Sequence, residues 1–206
     1  MQRSRILGSL LAAAALGGCA LTPESIHIQY SPAPGTAVLP AAAGVPVTVS
    51  VTDLRPDKSR VGTKRNARDV ALAPIRAAED VPATVQRAVE TELRARGFGV
   101  PGAAGAVQVQ LELASFMSRF KVFTVSAEAA ADVAFVVRVP AAGGHGGYER
   151  RIAAEGLNTD LQLVTGERAR EVLDQALREA IRQLFADPAF TAALLAGRPG
   201  ATRAAL

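Results

Sequence analysis

Val107-Gln-Val-Gln-Leu-Glu-Leu113 alternates apolar and polar residues without a fault. Successive side chains of a strand point to opposite faces, so this heptapeptide predicts a strand with one face on a core and one in water. The stretches after it repeat the theme. Phe116 to Glu128 reads as a second, less regular strand carrying Phe116, Phe120, Phe123 and Val125. Ala131 to Val139 reads as a third, with Val133, Phe135, Val137 and Val139 on one face. Gly143-Gly-His-Gly-Gly147 is expected to be a flexible hairpin loop, and Tyr148 to Leu157 the returning strand.

Upstream, Val47, Val49 and Val51 alternate with Thr48, Ser50 and Thr52, a half-buried strand rich in β-branched residues. It stops at Asp53-Leu-Arg-Pro-Asp-Lys58, where Pro56 and the charges break the pattern. Val61 to Asn66 is expected to be a turn or short hairpin arm, and Val70 to Leu72 a brief strand. A first helix is expected over Val81 to Arg96, with Asp80 as N-cap, Pro82 in the first turn and Gly97 as the left-handed stop. Its apolar face carries Val85, Val89 and Leu93, widened by Val81 and Ala88. Glu167 to Ala186 is a stronger amphipathic helix, with a stripe from Ala169 to Phe185 and Asp174 among the residues of the polar side. Asp187-Pro188 opens a short helix to Leu195. An antiparallel sheet of about five strands with two main helices packed on one face satisfies every stripe, which is the α+β class.

The first residues set the location. Arg3 and Arg5 precede an apolar run from Ile6 to Leu16, and Leu16-Gly-Gly-Cys19 closes it. Eleven apolar residues are too few to span a bilayer core, which needs about 20, but suit a secretory signal. The closing residues match the lipobox of bacterial lipoproteins: an apolar residue, two small ones, then cysteine. Cleavage between Gly18 and Cys19 is expected, with a diacylglyceryl group on the thiol and an N-acyl chain on the freed amine. Residues 1–18 are then signal peptide, and 19–44 a lipidated cysteine with a Pro/Ala-rich tether. The domain spans 45–196, followed by a disordered tail over 197–206. If polyproline-like throughout, the tether would reach ~75 Å at ~3.1 Å per residue, and as a flexible coil only ~30 Å; Ile26, Ile28 and Tyr30 alternate, which suggests a short edge strand within it. Ala20, rather than Asp, follows the cysteine, which favours the periplasmic face of the outer membrane, with the inner membrane as the alternative.

Composition narrows the chemistry. The net charge of +4 falls to +2 when Arg3 and Arg5 leave with the signal, too little and too dispersed for a nucleic-acid surface. Cys19 is the only cysteine, so no disulfide within the chain is available. His27 sits in the tether and His145 in the glycine loop, neither with partners at metal-ligand spacing. No Gly-x-Ser-x-Gly elbow occurs. The glycine loop joins two strands rather than opening a helix, so it lacks the donors of a phosphate cradle. The expected reading is no enzyme, no metal and no cofactor beyond the covalent lipid.

One stretch stands out. Asp53 to Asp69 holds six cations and three acids in seventeen positions. Two readings compete: a solvated loop whose acids pair locally, or a contact surface for an anionic partner built from Arg55, Lys58, Arg60, Lys64 and Arg65. On the second reading those cations face solvent, and changing Arg60, Lys64 and Arg65 to Gln leaves stability untouched. Asp53 is expected to pair with Arg55 and fix the turn.

The run Val47-Thr-Val-Ser-Val-Thr-Asp-Leu-Arg-Pro-Asp-Lys-Ser-Arg-Val-Gly62, behind the lipobox, resembles the YajG family of small Gram-negative lipoproteins. The Arg96-Gly97 helix stop and the helical C-terminus fit the same pattern. The resemblance implies an envelope lipoprotein lipidated at Cys19, with Asp53 and Arg55 as signature positions, and implies no reaction. The architecture is also similar to that of auxiliary lipoproteins of transporters and cell-wall synthases. The function expected is therefore a non-catalytic binding or assembly module with a membrane and an envelope protein as partners. A small-ligand or lipid carrier is the alternative, and a cell-envelope hydrolase a lesser one.

Overall fold

The computed structural model describes residues 22–100, 105–123, 126–141, 147–161 and 163–197. The signal, Cys19, His145 with most of its glycine loop, and the tail after Gly197 lie outside the described residues.

Strands β2 (Val47–Asp53), β5 (Val107–Val122), β6 (Ala127–Val139) and β7 (Tyr148–Leu161) form a four-stranded sheet in that order. β2 runs parallel to β5, and the other neighbours are antiparallel. A three-stranded sheet has β4 (Ala71–Ala77) at its centre, with β1 (Glu24–Ile26) parallel on one side and β3 (Gly62–Arg65) antiparallel on the other. The fold is α+β as expected, but the single sheet of about five strands is in fact two mixed, mostly antiparallel sheets of four and three.

The sequence breaks the long strand where the structure does not. Phe116 continues β5 because a β-bulge between Leu113 and Ser115 inserts one residue. The inward set therefore switches from odd positions (Val109, Leu111, Leu113) to even ones (Phe116, Ser118, Phe120), all buried. β6 starts earlier than expected because its first inward residues, Ala127 and Ala129, give little strand signal. β4 runs through Pro74; β1 pairs only with Ile75 to Ala77, so the residue without an N–H lies just outside that ladder.

Helices α1 (Val81–Ala95), α2 (Gly166–Ala186) and α3 (Pro188–Ala196) close the core. Asp80 caps α1 by accepting from the Ala83 N–H at 3.0 Å, and Gly97 at φ 96° ends it. α1 lies on β2 while α2 lies across β5, β6 and β7. α2 meets β7 at Gly156, where a Cβ would overlap the Val172 carbonyl oxygen. The opposite face of the four-stranded sheet is polar and carries ion pairs such as Arg119–Asp132 and Arg138–Glu149.

The stretch read as a tether is folded onto the body from Thr22. Ile26, Ile28, Ala42 and Val45 are buried in the core. Gln29 N–H donates to Asp174 Oδ1 at 3.0 Å, and Leu39 N–H to the Arg96 carbonyl at 2.9 Å. This contact explains Asp174, which the helical pattern puts on the polar side: it is buried under the leader and also accepts from Arg170 at 2.6 Å.

Candidate functional site

The turn after β2 is built from its own charges. Arg55 donates through Nε (2.9 Å) and Nη2 (2.8 Å) to the two oxygens of Asp53, whose Oδ1 also accepts the Arg55 backbone N–H. These hydrogen bonds hold the Asp53 carboxyl below its usual range. Asp57 accepts from the Ser59 hydroxyl and N–H, which with the Arg60 guanidinium at 2.7 Å lower its pKa in turn. Farther on, Arg65 pairs with Asp69 at 3.3 Å. All three acids of the stretch are thus locally paired.

The five cations expected to share one surface separate. Lys64 is only 3% exposed; its ammonium donates to the Thr22 carbonyl at 3.1 Å and pairs with Glu24. It belongs to the scaffold, because the inward phase of β3 points it at the leader. Arg55 is 5% exposed and is likewise no surface residue, although its pairing with Asp53 is as expected. Arg65 stands on the β3–β4 hairpin. Only Lys58 and Arg60 of the set remain at a solvent-facing site together, joined there by Arg76 from the end of β4, which the sequence did not single out.

These three and Arg55 line a cavity of about 240 Å³ beside the N-terminus of α1, with Asp53, Glu79 and Asp80 as the acidic side. Two buried atoms of these lining residues have no hydrogen-bond partner: Arg55 Nη1 and Glu79 Oε2. The first follows from the fork geometry, since an arginine that gives Nε and Nη2 to one carboxylate turns its other nitrogen away. The other Glu79 oxygen, Oε1, accepts from His27 Nδ1 at 2.6 Å, which lowers the Glu79 pKa. Lys58 and Arg76 have no ion pair among the described residues, so the cavity offers uncommitted donors. The arrangement suits recognition of a carboxylate or phosphate oxygen.

A second cleft, of about 560 Å³, opens between the leader, α1 and α2, lined among others by Tyr30, Glu92, Arg96, Arg178 and Arg182. Tyr30 donates to Glu92 Oε2 at 2.8 Å and Arg96 donates to Glu92 Oε1 at 2.8 Å, while the Arg96 guanidinium stacks on Phe185. Burial and the Glu92 carboxylate push the Tyr30 hydroxyl pKa upward. This cleft was illegible in the sequence because one wall is the stretch read as a tether. Among the described residues no three His, Cys, Asp or Glu side chains converge as a metal site.

A mixed-sheet α+β domain with a docked N-terminal leader and a cation-lined cavity is the class these features define. The chain belongs to a family of uncharacterized lipoproteins, Lipoprotein_16, whose model matches residues 32–195. Among solved structures it resembles a protein from Xanthomonas campestris assigned to the DUF330 family. The TM-score is 0.53 at 13% identity, over 85% of this chain and 96% of that one. Another, described as an uncharacterized protein, has a TM-score of 0.48 at 10% identity, over 79% and 96%. The first likeness shows the fold alone. No curated protein matches the sequence. No helix among the described residues is long and apolar enough to cross a membrane.

Proposed function

We propose that this chain is a YajG-type lipoprotein, lipidated at Cys19, that serves as a non-catalytic binding or assembly module at the periplasmic face of the outer membrane. The observation that supports it is the cavity beside α1. Arg55, fixed by Asp53, lines it with one buried nitrogen left without a partner, and Lys58 and Arg76 line it without an ion pair among the described residues. A fixed guanidinium flanked by exposed cations reads an anionic group on a partner, and contributes specificity more than raw affinity. The test is a photoreactive residue in place of Lys58 in intact cells. A discrete protein adduct that fades when Arg76→Gln is added supports the reading; adducts with lipid alone would move it to lipid carriage, for which the larger cleft offers the room.

A further inference from the structure

The leader leaves little slack between the lipid and the domain. Thr22, whose carbonyl is held by Lys64 Nζ at 3.1 Å, is three residues from Cys19, so the attachment point lies within ~11 Å of it at ~3.6 Å per extended residue. This distance fixes which end of the domain meets the bilayer. Glu24, two residues on, holds both Lys64 and the Gly166 N–H at the start of α2. α2 follows closely on β7, whose last residue, Leu161, pairs with Ala127 at the start of β6, which pairs with Val122 at the end of β5. The tip of the β3–β4 hairpin lies at the same end, since Glu24 is in register with Ile75 and the tip is reached by following β4 back past Ala71.

That end carries an unusual share of the uncovered apolar side chains. Of the six large hydrophobic residues exposed among the described residues, three lie there: Val70 (53%), Phe123 (40%) and Leu163 (69%). Val38 is at the far end, against Gly97. Lys121 stands over the Phe123 ring at 5.1 Å, an apolar tip with a cation beside it. Arg65 and Arg68 on the hairpin and Arg168 on α2 add cations, but Asp69, Glu128, Glu167 and Glu171 stand among them, so charge alone does not attract this end to an anionic surface.

We infer that the lipoprotein seats this end directly on the bilayer, with Phe123, Leu163 and Val70 entering the interface of the leaflet that holds its acyl chains. The inference rests on the proposed lipidation of Cys19. Once the lipid tethers the chain within ~11 Å, the apolar tips meet the membrane at high effective concentration, so weak individual insertion suffices.

The chain contains no tryptophan, so a single introduced one reports only its own position. The full-length lipidated protein carrying Phe123→Trp, Leu163→Trp or Val38→Trp is reconstituted into phosphatidylethanolamine–phosphatidylglycerol vesicles with brominated acyl chains. Flotation and fluorescence are read on the same sample. The expected result is flotation of all three, with blue-shifted and quenched emission at 123 and 163 and unquenched emission at 38. Flotation with equal emission at the three positions overturns the seating and leaves the lipid anchor standing. Failure to float overturns the anchor, and the seating with it.

Discussion

Replacing Lys64 separates a scaffold cation from a surface one. Its ammonium is buried, bonded to the Thr22 carbonyl and paired with Glu24, and the same carboxylate takes the Gly166 N–H. Lys64→Met therefore strips the cation from a carboxylate that ties β1, β3 and the start of α2 together. Losing one partner of a fully buried pair costs ~3–5 kcal/mol. The Glu24 side chain is 34% exposed and can recover part of its hydration, so the lower figure for charged hydrogen bonds, ~2 kcal/mol, applies. For a chain of this size that lowers Tm by ~4–8 °C. Arg65→Gln, one residue on, breaks only exposed contacts with Asp69, an ion pair and a hydrogen bond to its carbonyl, and should cost under ~1 kcal/mol. The assay is thermal unfolding by circular dichroism of the mature chain with Cys19→Ser, beside limited proteolysis of the leader. Glu24→Gln closes a double-mutant cycle with Lys64→Met, and the two should couple. A Lys64→Met protein that melts with the Arg65→Gln one, its leader still resistant, would refute the assignment of Lys64 to the scaffold.

Gly156→Ala should destabilise by ~2–3 kcal/mol, because the new methyl meets the backbone of Val172 rather than a yielding side chain; a melting temperature equal to the parent's would mean that α2 lifts off β7 freely. Asp80→Ala removes the side-chain acceptor at the start of α1 and should cost ~1 kcal/mol, measured as a lower denaturant midpoint at unchanged slope. Stability should also fall with acid. Arginine hydrogen bonds hold Asp53 and Asp187 below their usual range, and bring Glu179 down to about 2. A carboxylate with a depressed native pKa stabilises fully above its unfolded value and loses that contribution as pH drops through the native one, so Tm should decline from about pH 4 downward. Asp174 works in the opposite sense, its pKa raised by burial, and softens the decline; a Tm constant down to about pH 2 would refute the sign.

The elements with an unbroken period were legible from the residues alone. The Val107 alternation, the Val47 strand and both long helices, the first with its Asp80 cap, emerge where the pattern places them. Legibility failed where tertiary contacts override local pattern. A bulge reads as a strand end because it shifts the inward phase by one residue, which is what separates Leu113 from Phe116. The leader reads as a tether because Pro and Ala carry no periodic signal, although Ile26 and Ile28 are core. Lys64 and Asp174 read as solvated charges because nothing local announces that β1 will cover one and Gln29 meet the other. The site was legible in part. Asp53 and Arg55 pair as their spacing suggests, but Arg76 and Glu79 arrive from the end of β4, beyond the reach of sequence neighbourhood.

The docked leader and the position of the cavity constrain each other. If 25 residues ran free, a partner could be met tens of ångströms from the membrane. With Ile26 and Ile28 in the core and Thr22 three residues from Cys19, a domain lipidated at Cys19 has no such reach. Measured along β4, the cavity begins at Arg76, five residues from the strand end nearest the hairpin tip, or ~16 Å at ~3.3 Å per residue. A domain seated on that end holds Arg55, Lys58 and Arg76 on its flank, clear of the lipid headgroups yet close to them. Headgroup phosphates would then meet the hairpin cations before they met the cavity. On the proposed function, the group that the cavity would read is accordingly one presented sideways, by a protein lying along the same membrane. Inserting a flexible segment between Cys19 and Thr22 tests this separately from binding chemistry. It leaves every cavity residue in place, so a loss of crosslinking at Lys58 would trace to height above the bilayer, and unchanged crosslinking would show that the partner needs no fixed height.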